Sequence, residues 1–134
     1  MEKDLITELN SDLEKFSILK HSDVYVMPTR NMNNRDFEGF GISFLEASYF
    51  ENVVIGGTDD GVQEAISNHV TGFTIDFQHQ DSAIELADLL KSLLKQKDQM
   101  KEFQTHAKSF VVKNFDMNHL VSGFLKNLNS VGVF

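Results

Sequence analysis

The sequence has no cysteine, a single proline and no long hydrophobic run. Without cysteine the chain forms no disulfide, thiolate metal site, iron–sulfur cluster or cysteine nucleophile, and it fits a reducing compartment. Its apolar runs are only a few residues long, whereas a membrane-spanning helix needs about 20. The charged first residues also lack the order of regions found in a signal peptide. We therefore expect a cytoplasmic chain without a membrane span.

The length and composition favour one folded unit. With 134 residues, of which 41% are hydrophobic, the chain can bury a packed core without covalent staples. A single proline and the lack of a low-complexity tract leave no segment that resembles an interdomain linker. Residues 1–134 are therefore expected to form a single domain.

Positive charge is missing from the middle of the chain. The net charge is −8, and residues 41–90 contain nine acidic side chains but no lysine or arginine. The only basic stretch, Lys91 to Lys113, alternates with apolar residues at helical spacing, which is typical of a solvated helix face. A protein that binds nucleic acid needs a basic face, so this distribution of charge argues against a nucleic-acid partner.

Short apolar runs separated by helical patterns predict an α/β fold. The expected strands are Val24–Met27, Val53–Ile55, Phe73–Ile75 and a fourth at Ile6–Leu9. The first two of these runs are apolar on successive residues, which is typical of a parallel sheet covered on both faces. The sequence thus predicts a parallel sheet of three to four strands with flanking helices and a helical C-terminal tail.

Helix starts are marked by capping residues and glycine. The first expected helix is capped by Ser11 or Asp12, and the second, Ile42–Phe50, follows Gly41. The third starts at a capping box formed by Ser82 and Glu85 and extends to Leu94. A fourth helix is expected after Asp98 and a fifth over residues 118–128.

The loop after the first of these strands is the place to look for a ligand, because open parallel sheets bind ligands at the carboxyl ends of their strands. Gly39 and Gly41 precede a helix, so the backbone can approach a ligand and the free amides of the first turn favour an anionic or hydroxyl-rich group. The same glycines can instead simply turn the chain. Glu38 and Glu46 bracket this turn, and carboxylates accept hydrogen bonds from sugar hydroxyls.

These residues resemble a known signature. The stretches Ser22–Arg30 and Glu38–Ala47 closely resemble the signature of group 1 (family 4) retaining glycosyltransferases of the GT-B fold. Asp60–Ile66 is similar to the family's Gly-Gly-x-Pro-Glu-Val-Val turn, and the resemblance extends over roughly residues 5–128. It implies a partial Rossmann-like sheet, the C-terminal domain that binds a nucleotide-sugar donor.

The resemblance also implies roles for individual residues. Glu38 would contact the transferred sugar as the catalytic candidate, and Glu46 would hold the ribose hydroxyls. The full set of implied donor-binding residues is Arg30, Gly39, Phe40, Gly41, Ile42 and Glu46. The donor would be a UDP- or GDP-hexose, with no further cofactor. No metal site is expected, because the five histidines lack metal-ligand spacing.

Departures from the family pattern limit what the chain is expected to do alone. The family's Gly-Arg and Lys, which grip the donor diphosphate, belong to units upstream of the matched stretch, and the family usually has glycine where Glu51 and His69 stand. A leaving diphosphate needs positive charge aimed at it. The isolated chain is therefore expected to carry only part of a donor site and to be inactive. Any peripheral association with a membrane would occur through parts of the enzyme that this sequence does not contain.

A second interpretation stays open at this point. The chain would be a truncated, non-catalytic module that acts in protein–protein association. Its first strand would then be an open sheet edge that pairs with a partner chain or with a second copy of itself.

Overall fold

The computed structural model describes residues 11–29, 41–58 and 60–116, together with Glu8. The elements in chain order are α1 (Asp12–Lys20), β1 (Val24–Val26), α2 (Ile42–Tyr49), β2 (Val53–Gly56), α3 (Asp60–Ala65), β3 (Gly72–Thr74), α4 (Ser82–Lys95) and α5 (Lys97–Phe115). The strand expected at Ile6–Leu9 lies outside the described residues except for Glu8, and the helix expected over residues 118–128 lies wholly outside them.

The three strands form one parallel sheet in the order β1-β2-β3. Val24 pairs with Val53 on one side of β2, and Val54 pairs with Gly72 on the other. All four residues of β2 are buried, because this central strand has helices on both faces. The α/β fold expected from the successive apolar residues of these strands is thereby confirmed.

Alternation along β2 divides the core into two layers, since successive side chains of a strand point to opposite faces. Val54 packs in the first layer with α1, α2, α3 and α5 and with the residue after α3. The buried residues that they contribute are Leu19, Phe44, Leu45, Ala47, Val62, Ala65, Ile66 and Val111. Val53 and Ile55 pack in the second layer with Phe73, Ile75 and Leu93. The helices therefore cover both faces of the sheet.

The two predicted helix caps have different outcomes. Ser11 precedes α1, and its hydroxyl accepts a hydrogen bond from the Glu14 amide at 3.2 Å, which confirms it as the N-cap. The capping box at Ser82 is wrong, because Asp81 occupies the N-cap of α4 and no side chain caps this helix. The Ser82 amide already donates to the His79 carbonyl at 3.2 Å, so the preceding turn leads Ser82 directly into the helix.

The segment that the sequence likened to a turn is a helix. Where the family pattern suggested a turn at Asp60–Ile66, the structure has the six-residue helix α3. Val62, Ala65 and Ile66 are spaced three and four residues apart, and all three are buried in the first core layer. Burial of this one face stabilises the helical conformation.

Two ordinary residues adopt a conformation that favours glycine. Glu51 has φ 62° and His69 has φ 60°, both in the left-handed region. These are positions where the resembling family usually carries glycine, so the backbone geometry agrees with the family pattern although the side chains depart from it.

Candidate functional site

The loops that follow β1 and β2 meet at the carboxyl edge of the sheet. The Gly57 amide donates to the Thr29 hydroxyl at 3.1 Å. A Cβ atom at Gly57 would collide with the carbonyl and hydroxyl oxygens of Thr29, so only glycine allows this approach. The two loops are thereby held together at the edge where parallel sheets bind ligands.

Gly41 begins α2 in a left-handed conformation, with φ 65° and ψ 41°. A Cβ atom there would lie 3.0 Å from Phe44 Cδ2 and 3.4 Å from the Ala65 Cβ, which leaves little room for a side chain. The amides of Ile42 and Ser43 belong to the first turn, where helix amides have no intrahelical acceptor. No described side chain caps this end of α2. The first turn therefore offers hydrogen-bond donors and the positive end of the helix dipole.

Glu46 lies one turn further along α2 and pairs with a lysine from α1. Lys15 Nζ is 3.1 Å from Glu46 Oε1 and donates a hydrogen bond to it. The Lys15 and Glu46 side chains are 34% and 27% exposed, so each remains accessible from solvent. The pair joins α1 to α2, and its two residues are 31 positions apart in sequence.

The ammonium of Lys15 has two further neighbours on its own helix. It lies 3.4 Å from Asp12 Oδ1 and 4.7 Å from the centre of the Phe16 ring. The hydrogen bond to Glu46 raises the pKa of Lys15 above its ordinary value of 10.5, against the smaller lowering effect of partial burial. Lys15 is therefore charged at neutral pH.

Two hollows adjoin this ion pair. Glu46 lines a groove of about 400 Å³ between α1, α2 and α5, whose other lining residues are Phe16, Ile42, Leu45, Tyr49, Phe50, Val111 and Phe115. Lys15 lines a cavity of about 280 Å³ beside β1, together with Ile18, Leu19, Ser22, Val24, Tyr25, Val26 and Asn52. The Lys15–Glu46 pair thus provides charge at the boundary of two largely apolar spaces.

A third cavity, of about 450 Å³, lies where β1 and β3 end and α4 begins. Its lining residues are Pro28, Phe77, Gln78, His79, Gln80, Ser82, Ala83 and Leu86. The sequence reasoning did not identify it, because the cavity depends on the juxtaposition of three separate segments.

The structure places three of the predicted site residues on one element. Gly41, Ile42 and Glu46 lie at the start and in the second turn of α2. The other predicted residues, Arg30, Glu38, Gly39 and Phe40, lie outside the described residues.

Lys15 is the site residue that the sequence reasoning missed. Residues 41–90 have no lysine or arginine, yet folding brings Lys15 from α1 to Glu46. It also brings two lysines of α5 to Glu51, with Lys101 Nζ at 4.0 Å and Lys108 Nζ at 3.9 Å from its Oε1 atom. No local pattern could have shown these contacts, since the partners are distant in sequence.

Residues 11–29, 41–58 and 60–116 contain neither a metal-binding cluster nor a membrane-spanning helix. Within that part, no group of three or more histidine, aspartate or glutamate side chains is placed to hold a metal ion. None of its helices combines the length and the apolar character needed to cross a membrane.

The chain matches known glycosyltransferases in sequence. Residues 5–110 match the model of the family described as glycosyl transferases group 1. A GDP-mannose-dependent alpha-(1-6)-phosphatidylinositol monomannoside mannosyltransferase of Mycobacterium tuberculosis is 37% identical over 78 residues. That match covers 58% of this chain and 20% of the mannosyltransferase, so the chain corresponds to about a fifth of its length.

Solved structures share the fold. A glycosyltransferase from Rickettsia africae superposes with a TM-score of 0.70 at 24% identity, covering 85% of this chain and 28% of that one. The Anabaena protein HepE in complex with UDP-glucose gives a TM-score of 0.68 at 18% identity, covering 84% of this chain and 29% of that one. At these identities the likeness establishes the fold, which is that of GT-B glycosyltransferases.

Proposed function

Because this chain belongs to the group 1 glycosyl transferase family, we propose that it forms the donor-binding part of an enzyme that transfers a sugar from a nucleotide sugar to an acceptor with retention. The observation that carries the proposal is the arrangement of α2. Its first turn begins at the left-handed Gly41, and its second turn carries Glu46 with one carboxylate oxygen bonded to Lys15. This arrangement suits a ligand that combines phosphate with hydroxyl groups.

The proposed division of roles follows from the chemistry of each group. Glu46 accepts hydrogen bonds from the ribose hydroxyls, since an ionised carboxylate is an acceptor only. The free amides at the start of α2 face the sugar and the diphosphate, whose negative charge the helix dipole favours. Glu38, which lies outside the described residues, contacts the transferred sugar and is the catalytic candidate. Arg30, Gly39 and Phe40 complete the proposed donor site.

The donor that we propose is a nucleoside diphosphate hexose. The name of the mycobacterial relative specifies GDP-mannose, and the Anabaena structure holds UDP-glucose. Both ligands share the ribose diol and the diphosphate that the groups on α2 would bind. The nucleotide sugar is the substrate in this proposal, which needs no further cofactor, and the lack of cysteine supports a reducing cytoplasmic setting.

We further propose that the isolated chain does not complete the transfer. Departure of a nucleoside diphosphate requires cations aimed at its phosphates. Residues 41–90 carry none, and Lys15 is already bonded to Glu46. Stabilisation of the leaving group then depends on cations other than these, with Arg30 and Arg35 the nearest in sequence.

A titration of the full chain tests the proposal. UDP, GDP, UDP-glucose and GDP-mannose are added to millimolar concentration, and binding is followed by NMR shifts or calorimetry. We expect saturable binding that is lost in Glu46→Ala and kept in Glu85→Ala, which removes an exposed acid from α4 on the other face of the sheet. Absence of saturable binding, or equal loss in the two variants, would contradict the proposed donor site. Turnover by the purified chain would contradict the proposed lack of activity.

A further inference from the structure

We propose that Lys15 is a positioning residue for the donor, because its ammonium holds the Glu46 carboxylate in the orientation that receives the ribose diol. This inference rests on the proposed function, in which Glu46 binds the ribose. It adds a residue on a different helix that acts through Glu46 and does not itself touch the sugar.

The geometry leaves one carboxylate oxygen for the ligand. Lys15 Nζ bonds Glu46 Oε1 at 3.1 Å, and among the described residues no other side chain hydrogen-bonds this carboxylate. Each carboxylate oxygen can accept about two hydrogen bonds. Oε2 and the second acceptor position of Oε1 are therefore available to two neighbouring hydroxyls.

The ammonium is itself held in place. Asp12 Oδ1 at 3.4 Å and the Phe16 ring at 4.7 Å restrict Lys15 from the side of its own helix. A lysine fixed by three contacts limits the rotamers that its partner can adopt. Binding then requires less ordering of Glu46, and such preorganisation strengthens the complex.

Charge gives Lys15 a second effect on the same ligand. A carboxylate close to a nucleoside diphosphate repels it, and this repulsion strengthens as the surroundings become less polar. The groove around Glu46 is lined mainly by aromatic and aliphatic side chains. With no lysine or arginine in residues 41–90, the cation that offsets Glu46 comes from α1. Lys15 therefore lets a carboxylate bind the ribose of an anionic donor.

The test compares three variants of the full chain by NMR titration with UDP and GDP at fixed ionic strength. Lys15→Met removes the ammonium and keeps most of the side-chain volume, Lys15→Arg keeps the charge, and Lys20→Met is the control at an exposed lysine of the same helix. We expect binding to weaken about five- to tenfold in Lys15→Met and to change less than about twofold in Lys15→Arg and Lys20→Met.

A second ligand separates positioning from a general effect on the fold. The 2′-deoxy form of the nucleotide lacks one of the hydroxyls that Glu46 would bind. If Lys15 acts through Glu46, Lys15→Met weakens binding of the ribonucleotide at least about threefold more than binding of the deoxynucleotide. A merely structural role, or the effect of charge on the diphosphate alone, would weaken both equally. Circular dichroism of each variant verifies that it is folded.

The outcomes distinguish this inference from the proposed function. If the wild-type chain binds no nucleotide, or binds it equally well in Glu46→Ala, both proposals fall. If binding depends on Glu46 but is unchanged in Lys15→Met, only the role of Lys15 is overturned, and an equal loss for both nucleotides overturns its positioning of Glu46. If Lys15→Arg binds as weakly as Lys15→Met, positioning by charge is also overturned.

Discussion

The side-chain amide of Asn52 donates to the carbonyl oxygen of Leu19 at 2.7 Å, which links the start of β2 to the end of α1. The same amide group donates to the carbonyl oxygens of Ala47 at 3.2 Å and Phe50 at 3.4 Å, near the end of α2. Asn52 is completely buried, and its Oδ1 atom has no hydrogen-bond partner among the described residues. One side chain thus joins the two helices that supply Lys15 and Glu46.

Replacing Asn52 by alanine should destabilise the chain substantially. The Asn52→Ala change removes the side-chain bonds to Leu19, Ala47 and Phe50, and each hydrogen bond contributes about 0.5–1.5 kcal/mol. We expect the free energy of unfolding to fall by about 2–3 kcal/mol, as measured by urea denaturation. Asn68→Ala is the matched control, because Asn68 Oδ1 accepts one exposed bond from the Thr74 amide. Equal stability losses in the two variants would contradict the role assigned to Asn52.

Replacing Glu51 by glycine should stabilise the chain, because the residue has φ 62°. The left-handed conformation costs a non-glycine residue about 1 kcal/mol, whereas the ion pairs to Lys101 and Lys108 are long and exposed and contribute little. We expect Glu51→Gly to raise the free energy of unfolding by about 0.5–1 kcal/mol. Glu51→Ala removes the same carboxylate and keeps the strain, so it should show no gain. If the alanine variant gained as much, backbone strain would not be the cause.

The sequence predicts the sheet because each strand is a short β-branched run, and it predicts α1 and α2 from Ser11 and Gly41. It misses α3, because Asp60 and Gly61 are typical of a turn and only burial of Val62 and Ala65 against the sheet favours a helix.

The candidate site is predictable only in part. Glu46 is marked by its spacing from Glu38 and from the glycines, which are local features of the chain. Its partner Lys15 is 31 residues away on another helix. The contact depends on how α1 and α2 pack, and no sequence period encodes that packing.

The Lys15–Glu46 pair should make a pH-dependent contribution to stability. The folded-state pKa of Lys15 lies above the ordinary 10.5 of the unfolded chain. The stabilisation is therefore fully present below that pH and is lost as the pH rises through the folded-state value. We expect the difference in free energy of unfolding between wild type and Lys15→Met to be constant from about pH 7 to about pH 10 and to shrink above it. A difference that persists undiminished well above this range would show that packing of the Lys15 stem, rather than its charge, stabilises the fold.

Gly41 should tolerate no ordinary side chain, for two separable reasons. Its φ of 65° disfavours L-residues, and a Cβ atom would lie 3.0 Å from Phe44 Cδ2. We expect Gly41→Ala to lower the free energy of unfolding by about 1–2 kcal/mol in urea denaturation. Asparagine adopts the left-handed conformation more readily than alanine but has the same Cβ contact, so Gly41→Asn should lose less. Equal losses would assign the effect to the contact with Phe44 alone. An alanine variant as stable as the wild type would mean that α2 can begin without this turn, and the backbone approach proposed for the donor would then have no structural basis.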